Sequence, residues 1–327
     1  MKVHILDDWF NTLRTLPSFA RLAEHEVTVW NDHVEDAATL GERLAPAEVL
    51  VLFRERTPVT ADLLERLPKL RLISQRSVYP HVDVEACTRQ GVLLCSNLHA
   101  DAPSKAAAEL TWALMLAAAR QLPQQMASLK AGSWQMGVGQ TLAGRTLGLY
   151  GFGRIGRNVA DYARAFGMNV VWWGSDAGRA RAAAAGETVP ESREAFFADS
   201  DFVSLHVRLN AATRGIVTAD DLLAMMPTAN FVNTSRAGLV APGALMTALQ
   251  AGRPGTVALD VFDTEPLTDA SDPLICHPRV IATPHIGYVT EDELDLQFAD
   301  IYDQINTYAE GRPINMINAE VWERAAP

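Results

Sequence analysis

Three residues late in the chain have the types needed to move a proton to or from a carbonyl oxygen beside a carboxylate: Arg236, Glu265 and His285. Histidine is the natural proton donor and acceptor near neutral pH. A carboxylate beside it orients the ring and favours its protonated form. A guanidinium grips a carboxylate with two hydrogen bonds and polarises a carbonyl. NTSRAGLV places Arg236 just after a strand. DVFDTEP places Asp260 at a strand's end and Glu265 before a proline turn, and ATPHIGY places His285 after a strand. Open parallel sheets bind ligands at the carboxyl ends of their strands, which bring distant stretches of sequence to one edge. The other histidines considered, His4, His25, His33, His99 and His277, lack such company and are read as packed or surface residues.

A second constellation precedes the first. GFGRIG at 151–156 sets Gly151, Gly153 and Gly156 in the G-x-G-x-x-G spacing, with Phe152, Arg154 and Ile155 between them. The first glycine permits a tight turn, the second lets backbone approach a pyrophosphate, and the third lets the next helix pack close to the sheet. The helix N-terminus then offers unpaired N–H groups and partial positive charge to the phosphates. The hexapeptide alone is a weak signal, but strand TLGLY precedes it and helical IGRNVADYARAFG and strand MNVVWW follow. An NAD site usually has an acid at the end of that second strand, for the ribose 2′-hydroxyl. Here the slot reads Gly174, followed by Ser175 and Asp176. Arg179 and Arg181 come next; either could meet a 2′-phosphate, though both read more simply as solvated helix surface. The cofactor expected is NAD, with NADP possible.

These side chains need a frame of parallel strands. Short apolar runs alternate with helical patterns, which argues parallel sheets flanked by helices. Strands are expected at Val3–Leu6, Val27–Trp30, Glu48–Phe53, Leu70–Ser74 and Val92–Cys95, with a helix at Ala61–Leu67. A second series covers Thr146–Tyr150, Asn169–Trp173, Phe202–Leu205, Asn230–Asn233, Val257–Val261 and Val280–Thr283. The fold class is therefore α/β, with two doubly wound parallel-sheet domains. Between the series, a helix at Ser104–Arg120 with Pro103 at its start is apolar nearly all round, which suits a domain junction or subunit interface. A last helix spans Thr290–Glu310, before the stop signals Gly311 and Pro313.

The chain's 327 residues, 48% of them apolar, can bury two cores. Its net charge of −11 repels nucleic acid and anionic membrane, so neither is an expected partner. Three cysteines, Cys87, Cys95 and Cys276, lack metal or redox spacing and are read as ordinary thiols in or near the core. No metal is expected, because no His/Cys/Asp cluster has ligand spacing. The N-terminus has no apolar signal stretch, and the greasiest helix is about half a membrane span. A cytoplasmic location is expected.

Together these segments resemble the D-isomer-specific 2-hydroxyacid dehydrogenases, the family that includes phosphoglycerate dehydrogenase and glyoxylate/hydroxypyruvate reductase. The likeness runs from about residue 49 almost to the end. It includes FRERTPVTADLLERLPKL, AAAELTWALMLAAAR, AGRTLGLYGFGRIG, SLHVRLNAATRGIV and the three motifs above. The resemblance implies hydride transfer between NAD(P) and a small D-2-hydroxy or 2-oxo acid. It makes His285 the acid–base, Glu265 its partner and Arg236 the substrate-binding arginine. Asp260 matches an acid near the nicotinamide amide. His206, Val207, Thr213, Thr234, Ser235 and Gly287 fall in segments that line the cofactor, as do Arg236 and His285. The implied nucleotide-binding domain, Rossmann in type, spans 101–284. It is inserted in a flavodoxin-like substrate domain made of 1–100 and 285–327. A homodimer built around Ala106–Arg120 is also implied.

Two departures stand out. The family's glycine-rich substrate loop reads QRSVYPHVD here, so Arg76, Ser77, Tyr79 or His81 could face the substrate, with Arg54 nearby. Tyr288 stands where a small residue is commoner. A formate dehydrogenase is disfavoured by Glu265, since that branch carries glutamine. The short stretch after the last helix leads us to expect no appended regulatory domain. The rival function is a nicotinamide-sensing, corepressor-like binding protein of the same fold, which turnover of 2-oxo acids would exclude.

Overall fold

Eleven short strands form two parallel sheets in the computed structural model, which describes residues 1–98 and 104–325, without the side chains of 324 and 325. His99, Pro103 and the 100/101 boundary lie outside the described residues. The first sheet has the order β2-β1-β3-β4-β5, with β1 Lys2–Ile5, β2 Glu26–Val29, β3 Val49–Val51, β4 Leu72–Arg76 and β5 Leu93–Asn97. The second has the order β11-β10-β9-β8-β6-β7. It contains β6 Thr146–Tyr150, β7 Asn169–Trp173, β8 Phe202–Leu205, β9 Asn230–Asn233, β10 Thr256–Leu259 and β11 Val280–Ala282. The chain divides into one unit of Met1–Pro103 with Val289–Pro327, and another of Ser104–Tyr288.

In the first unit, β3 and β4 are buried along their whole length, as expected of central strands covered on both faces. Helices start on side-chain caps: Asp36, Thr60 and Asp83 each accept a backbone N–H of the following turn. The longest helix, Glu291–Ala309, is capped by Thr290 and opens with Glu291, Asp292 and Glu293, charges that suit the positive end of its dipole. It packs on β4, β5 and the 3-10 turn Pro17–Leu22. Ser74 Oγ donates to Ile301 O at 2.9 Å and Gln304 Nε2 to Gln75 O at 3.0 Å, tying the helix to β4. Burial of Phe298, Ile301 and Ile305 stabilises this seam by about 1.5–3 kcal/mol per side chain.

In the second unit the apolar helix is Ala106–Arg120, two residues shorter at its start than expected. It packs on the helix Arg154–Ala165 and on β9, β10 and β11. Trp112, Leu114, Met115, Ala118 and Ala119 join one core with Leu147, Val159, Trp172 and Val232. That position explains why the helix is apolar on most sides.

Several boundaries correct the sequence reading. The Glu48–Phe53 run is a strand only over Val49–Val51; Leu52 and Phe53 lie buried in the following loop, with Leu52 N still donating to Ser74 O at 3.3 Å. β4 runs two residues past Ser74, and β5 extends to Asn97: Gln75 pairs with Ser96 and Arg76 with Asn97 in register. The helix expected at Ala61–Leu67 ends at Glu65. Strands β1, β2 and β10 each begin a residue early and stop short, and β11 ends at Ala282. Cys87 and Cys95 are buried, but Cys276 is exposed, not a core thiol.

Candidate active site

The turn after β11 is built on a buried carboxylate. Asp260, fully buried at the end of β10, accepts from Thr283 Oγ1 at 2.6 Å and Ile286 N at 2.8 Å through Oδ1. Its Oδ2 accepts Gly287 N at 2.8 Å. Burial raises the Asp260 carboxyl above the usual range, and these bonds only partly offset it. The clamp folds residues 283–287 so tightly that His285 adopts φ 53, a left-handed conformation that non-glycine residues take at a cost. Both Asp260 oxygens are therefore committed to the histidine turn, a role the sequence reading did not give it.

Glu265 approaches from the loop after β10. Its Oε2 lies 2.5 Å from His285 Nδ1, and its Oε1 accepts Phe262 N at 2.8 Å. Burial pushes the Glu265 carboxyl up. The bond and charge of His285, the Phe262 N–H and the charge of Arg236 outweigh it and hold the group below its ordinary value. An ionised Glu265 fixes the proton on Nδ1 of His285, a tautomer assigned from this partner. Among the described residues no hydrogen bond reaches Nε2, which leaves that nitrogen for proton exchange. The Tyr288 ring meets the His285 ring edge-on at 5.9 Å.

Arg236 follows β9. Asn233, buried at the strand's end, accepts Ser235 N at 3.0 Å and donates to Arg236 O at 2.9 Å. Ser235 Oγ donates to Leu205 O at 2.6 Å, and Arg236 Nη1 to Ser235 O at 2.7 Å. The arginine's charge is felt at Glu265, so the three residues singled out first share one electrostatic site at the carboxyl ends of β9, β10 and β11. Asn233 was missed as a positioning residue; its only signal was a polar residue closing an apolar strand.

The glycine loop follows β6. Gly151 has φ 119, and a Cβ there would lie 2.6 Å from His206 O and from Val207 Cγ1. A Cβ on Gly153 would meet only His206 O, at 3.7 Å, so the backbone there can be approached closely from that side; the Gly153 N–H itself donates to Gly151 O at 2.9 Å, tightening the turn. Arg154 begins the following helix, Ile155 packs on its core, and Phe152 meets Trp172 edge-on at 4.8 Å. The His206 ring, kept neutral by burial that pushes it down to about 4, pairs Nε2 with Ser204 Oγ at 2.9 Å. Its buried Nδ1 has no partner among the described residues. An open cradle beside an unpartnered buried nitrogen fits a dinucleotide pyrophosphate. Elsewhere, Thr234 Oγ1 pairs with Thr111 Oγ1 at 2.6 Å, and Ser175 caps the helix Asp176–Ala184. Thr213 Oγ1 donates to Arg208 O at 2.6 Å, closing its own turn.

Arg54, Arg76 and Ser77 belong to the other unit. Arg76 is buried, with Nε 3.1 Å from Asp300 Oδ2. Ser77 has φ 83 and Arg54 φ 63. The glycine-free loop thus keeps a backbone that glycine takes more readily. Ser96 Oγ donates to Ser77 O at 2.7 Å, and Ser77 N to Asn97 O at 3.0 Å, holding it there.

A phosphate cradle on one parallel sheet, with a histidine–carboxylate pair and an arginine at the same edge, defines a nicotinamide-dependent oxidoreductase. The model of the D-isomer specific 2-hydroxyacid dehydrogenase NAD binding domain matches residues 112–287. The glyoxylate reductase of Aeropyrum pernix is 33% identical over 310 residues, 91% of each chain. The D-3-phosphoglycerate dehydrogenase of Methanocaldococcus jannaschii is 38% identical over 83% of this chain, which spans 51% of that protein's length. The crystal structure of a phosphoglycerate oxidoreductase from Vibrio cholerae superposes with a TM-score of 0.89 at 46% identity, over 95% of this chain and 99% of that one. The chain belongs to the D-isomer-specific 2-hydroxyacid dehydrogenase family, and its cofactor is NAD.

Proposed function

We propose that the chain reduces small 2-oxo acids to D-2-hydroxy acids and catalyses the reverse, with His285 as acid–base, Glu265 as its partner and Arg236 binding the substrate carboxylate. The observation that carries this reading is the 2.5 Å His285–Glu265 pair within the field of Arg236. The bound nicotinamide supplies or accepts the hydride at the substrate's carbon. His285 Nε2 gives the carbonyl oxygen its proton in reduction and takes it back in oxidation. Arg236 holds the carboxylate and draws charge from the carbonyl oxygen. With the acid fixed by these groups, one carbonyl face is presented to the nicotinamide, which sets a single stereochemistry.

In this reading 104–288 is the nucleotide-binding unit, lined by the glycine loop, His206, Val207 and Gly287, with Asp260 holding the turn at 283–287 from beneath rather than meeting the cofactor itself. The unit made of both chain ends binds substrate, with Arg54 and Ser77 as its candidates; Arg76 is already engaged by Asp300. Glyoxylate and hydroxypyruvate are the preferred acids over pyruvate. We place the enzyme in the cytoplasm, as a homodimer. Leu122, Met126, Leu129, Trp134 and Val138 support the dimer: all are exposed, just after Ala106–Arg120. The test is turnover of a panel of 2-oxo acids with reduced nicotinamide, followed by chiral chromatography. Absence of turnover, or the L-alcohol as product, sinks the reading.

A further inference from the structure

In many NAD sites the ribose 2′-hydroxyl is held by an acid at the end of the second strand. That position is Gly174, whose φ of 151 is one that L side chains rarely adopt. An acid introduced there would be strained, so Gly174→Asp is a poor probe of this slot. A Cβ on Gly174 would lie 3.8 Å from Gly151 N, placing the residue directly against the first glycine of the phosphate loop.

What stands at this spot comes instead from the first turns of the helix Asp176–Ala184. Arg179 Nη1 donates to Gly174 O at 2.6 Å, and its guanidinium carbon lies 4.3 Å from the centre of the Trp173 ring. Its Nη2 is 2.5 Å from Asp176 Oδ1. Arg179 is therefore not the solvated surface residue expected from sequence; stacking and the Gly174 carbonyl hold it at the loop. Arg181, exposed and two residues on, keeps the solvated reading. Asp176 is 97% exposed, and among the described residues Arg179 is the one side chain that restrains its carboxylate.

We propose that the Asp176–Arg179 pair makes this chain accept both NAD and NADP, its two members favouring opposite cofactors. A 2′-hydroxyl is a donor and needs an acceptor, which Asp176 supplies. A 2′-phosphate is an anion and needs a cation, which Arg179 supplies from its stacked position while Asp176 turns to water. Each cofactor is served by one partner and opposed by the other, so their effects nearly cancel in the native chain. The inference rests on the dinucleotide reading of the glycine loop.

The test is calorimetric binding of 5′-AMP and 2′,5′-ADP to the full chain, independent of turnover. The two fragments are expected to bind natively within about tenfold of each other, the equivalent of one charge-assisted contact. Asp176→Asn should shift the ratio toward 2′,5′-ADP, and Arg179→Met should shift it toward 5′-AMP by on the order of tenfold. Arg179→Lys should restore part of the phosphate preference. Asp176→Asn changes an exposed side chain and keeps the test valid if Arg179→Met folds poorly. If both fragments bind but the two variants leave the ratio unmoved, or move it the same way, the pair does not set the choice. If neither fragment binds, the dinucleotide reading of the loop falls with it.

Discussion

Two of the ion pairs in the Ser104–Tyr288 unit are of similar length and opposite character. Arg193 meets Asp221 through Nε at 2.6 Å and Nη2 at 2.7 Å. Arg193 also donates to Tyr150 Oη at 3.2 Å and to Ile216 O. Asp221 also accepts Thr218 N at 2.7 Å and Thr218 Oγ1 at 2.9 Å, closing a capping box. Both oxygens of that carboxylate are occupied, and its charge serves only to join the helix Ala219–Ala224 to its neighbours. In the His285–Glu265 pair the carboxylate is equally occupied, but among the described residues one ring nitrogen has no hydrogen-bond partner. Its short contact resembles that of the structural pair; the unpartnered nitrogen, beyond the strand ends and in the field of an arginine, makes it a candidate for catalysis.

The sharpest break between the two pairs should come from His285→Ala. Loss of a positioned acid–base should lower kcat by about 10²–10⁴-fold with thermal unfolding little changed. Arg236→Ala should follow, raising KM and lowering kcat for a combined loss of about 2–4 kcal/mol in kcat/KM. If either variant simply unfolds, as its circular dichroism would report, the pair is structural after all.

Asp221→Asn should do the reverse. It should cost about 2 kcal/mol of stability, with activity per folded molecule retained. Burial raises the Asp221 carboxyl, but Arg193 and Thr218 together hold it below its ordinary value. A depressed folded pKa contributes stability above the unfolded carboxyl range and loses it as pH falls through the folded value. The gap between wild type and Asp221→Asn should therefore be full at neutral pH and close in acid. Denaturant melts at several pH values would measure it. A gap that widens in acid would overturn the sign.

The smallest effect is the most diagnostic. Glu265→Gln keeps the size of the side chain but replaces the carboxylate that fixes the proton on Nδ1 of His285. It should lower kcat less than His285→Ala does, with KM little changed. A kcat equal to that of wild type would refute the pairing.

The sequence made some of this legible for physical reasons. β6, β7, β8 and β9 have the residues expected, because each is a short apolar run ended by a turn or polar residue. β4 was read two residues early at both ends, since hydrophobicity cannot announce that Gln75 and Arg76 are buried and paired. The types of Arg236, Glu265 and His285 pointed to chemistry, but the Asp260 clamp did not show. Its bonds to Ile286 and Gly287 go to backbone N–H groups, which every residue type supplies. Ser77 was opaque for a related reason: a left-handed backbone without glycine leaves no mark in composition.

Strand β4 is synthesised long before the helix that covers it. The helix Glu291–Ala309 emerges only after all of Ser104–Tyr288 has been made. On the ribosome, the inserted unit is complete while the first sheet still lacks Phe298, Ile301 and Ile305 against its face. A nascent chain stalled between the two would present bare apolar strand surface to chaperones. The lag is built into the order of translation, and it makes the outer unit, though begun first, the last to close.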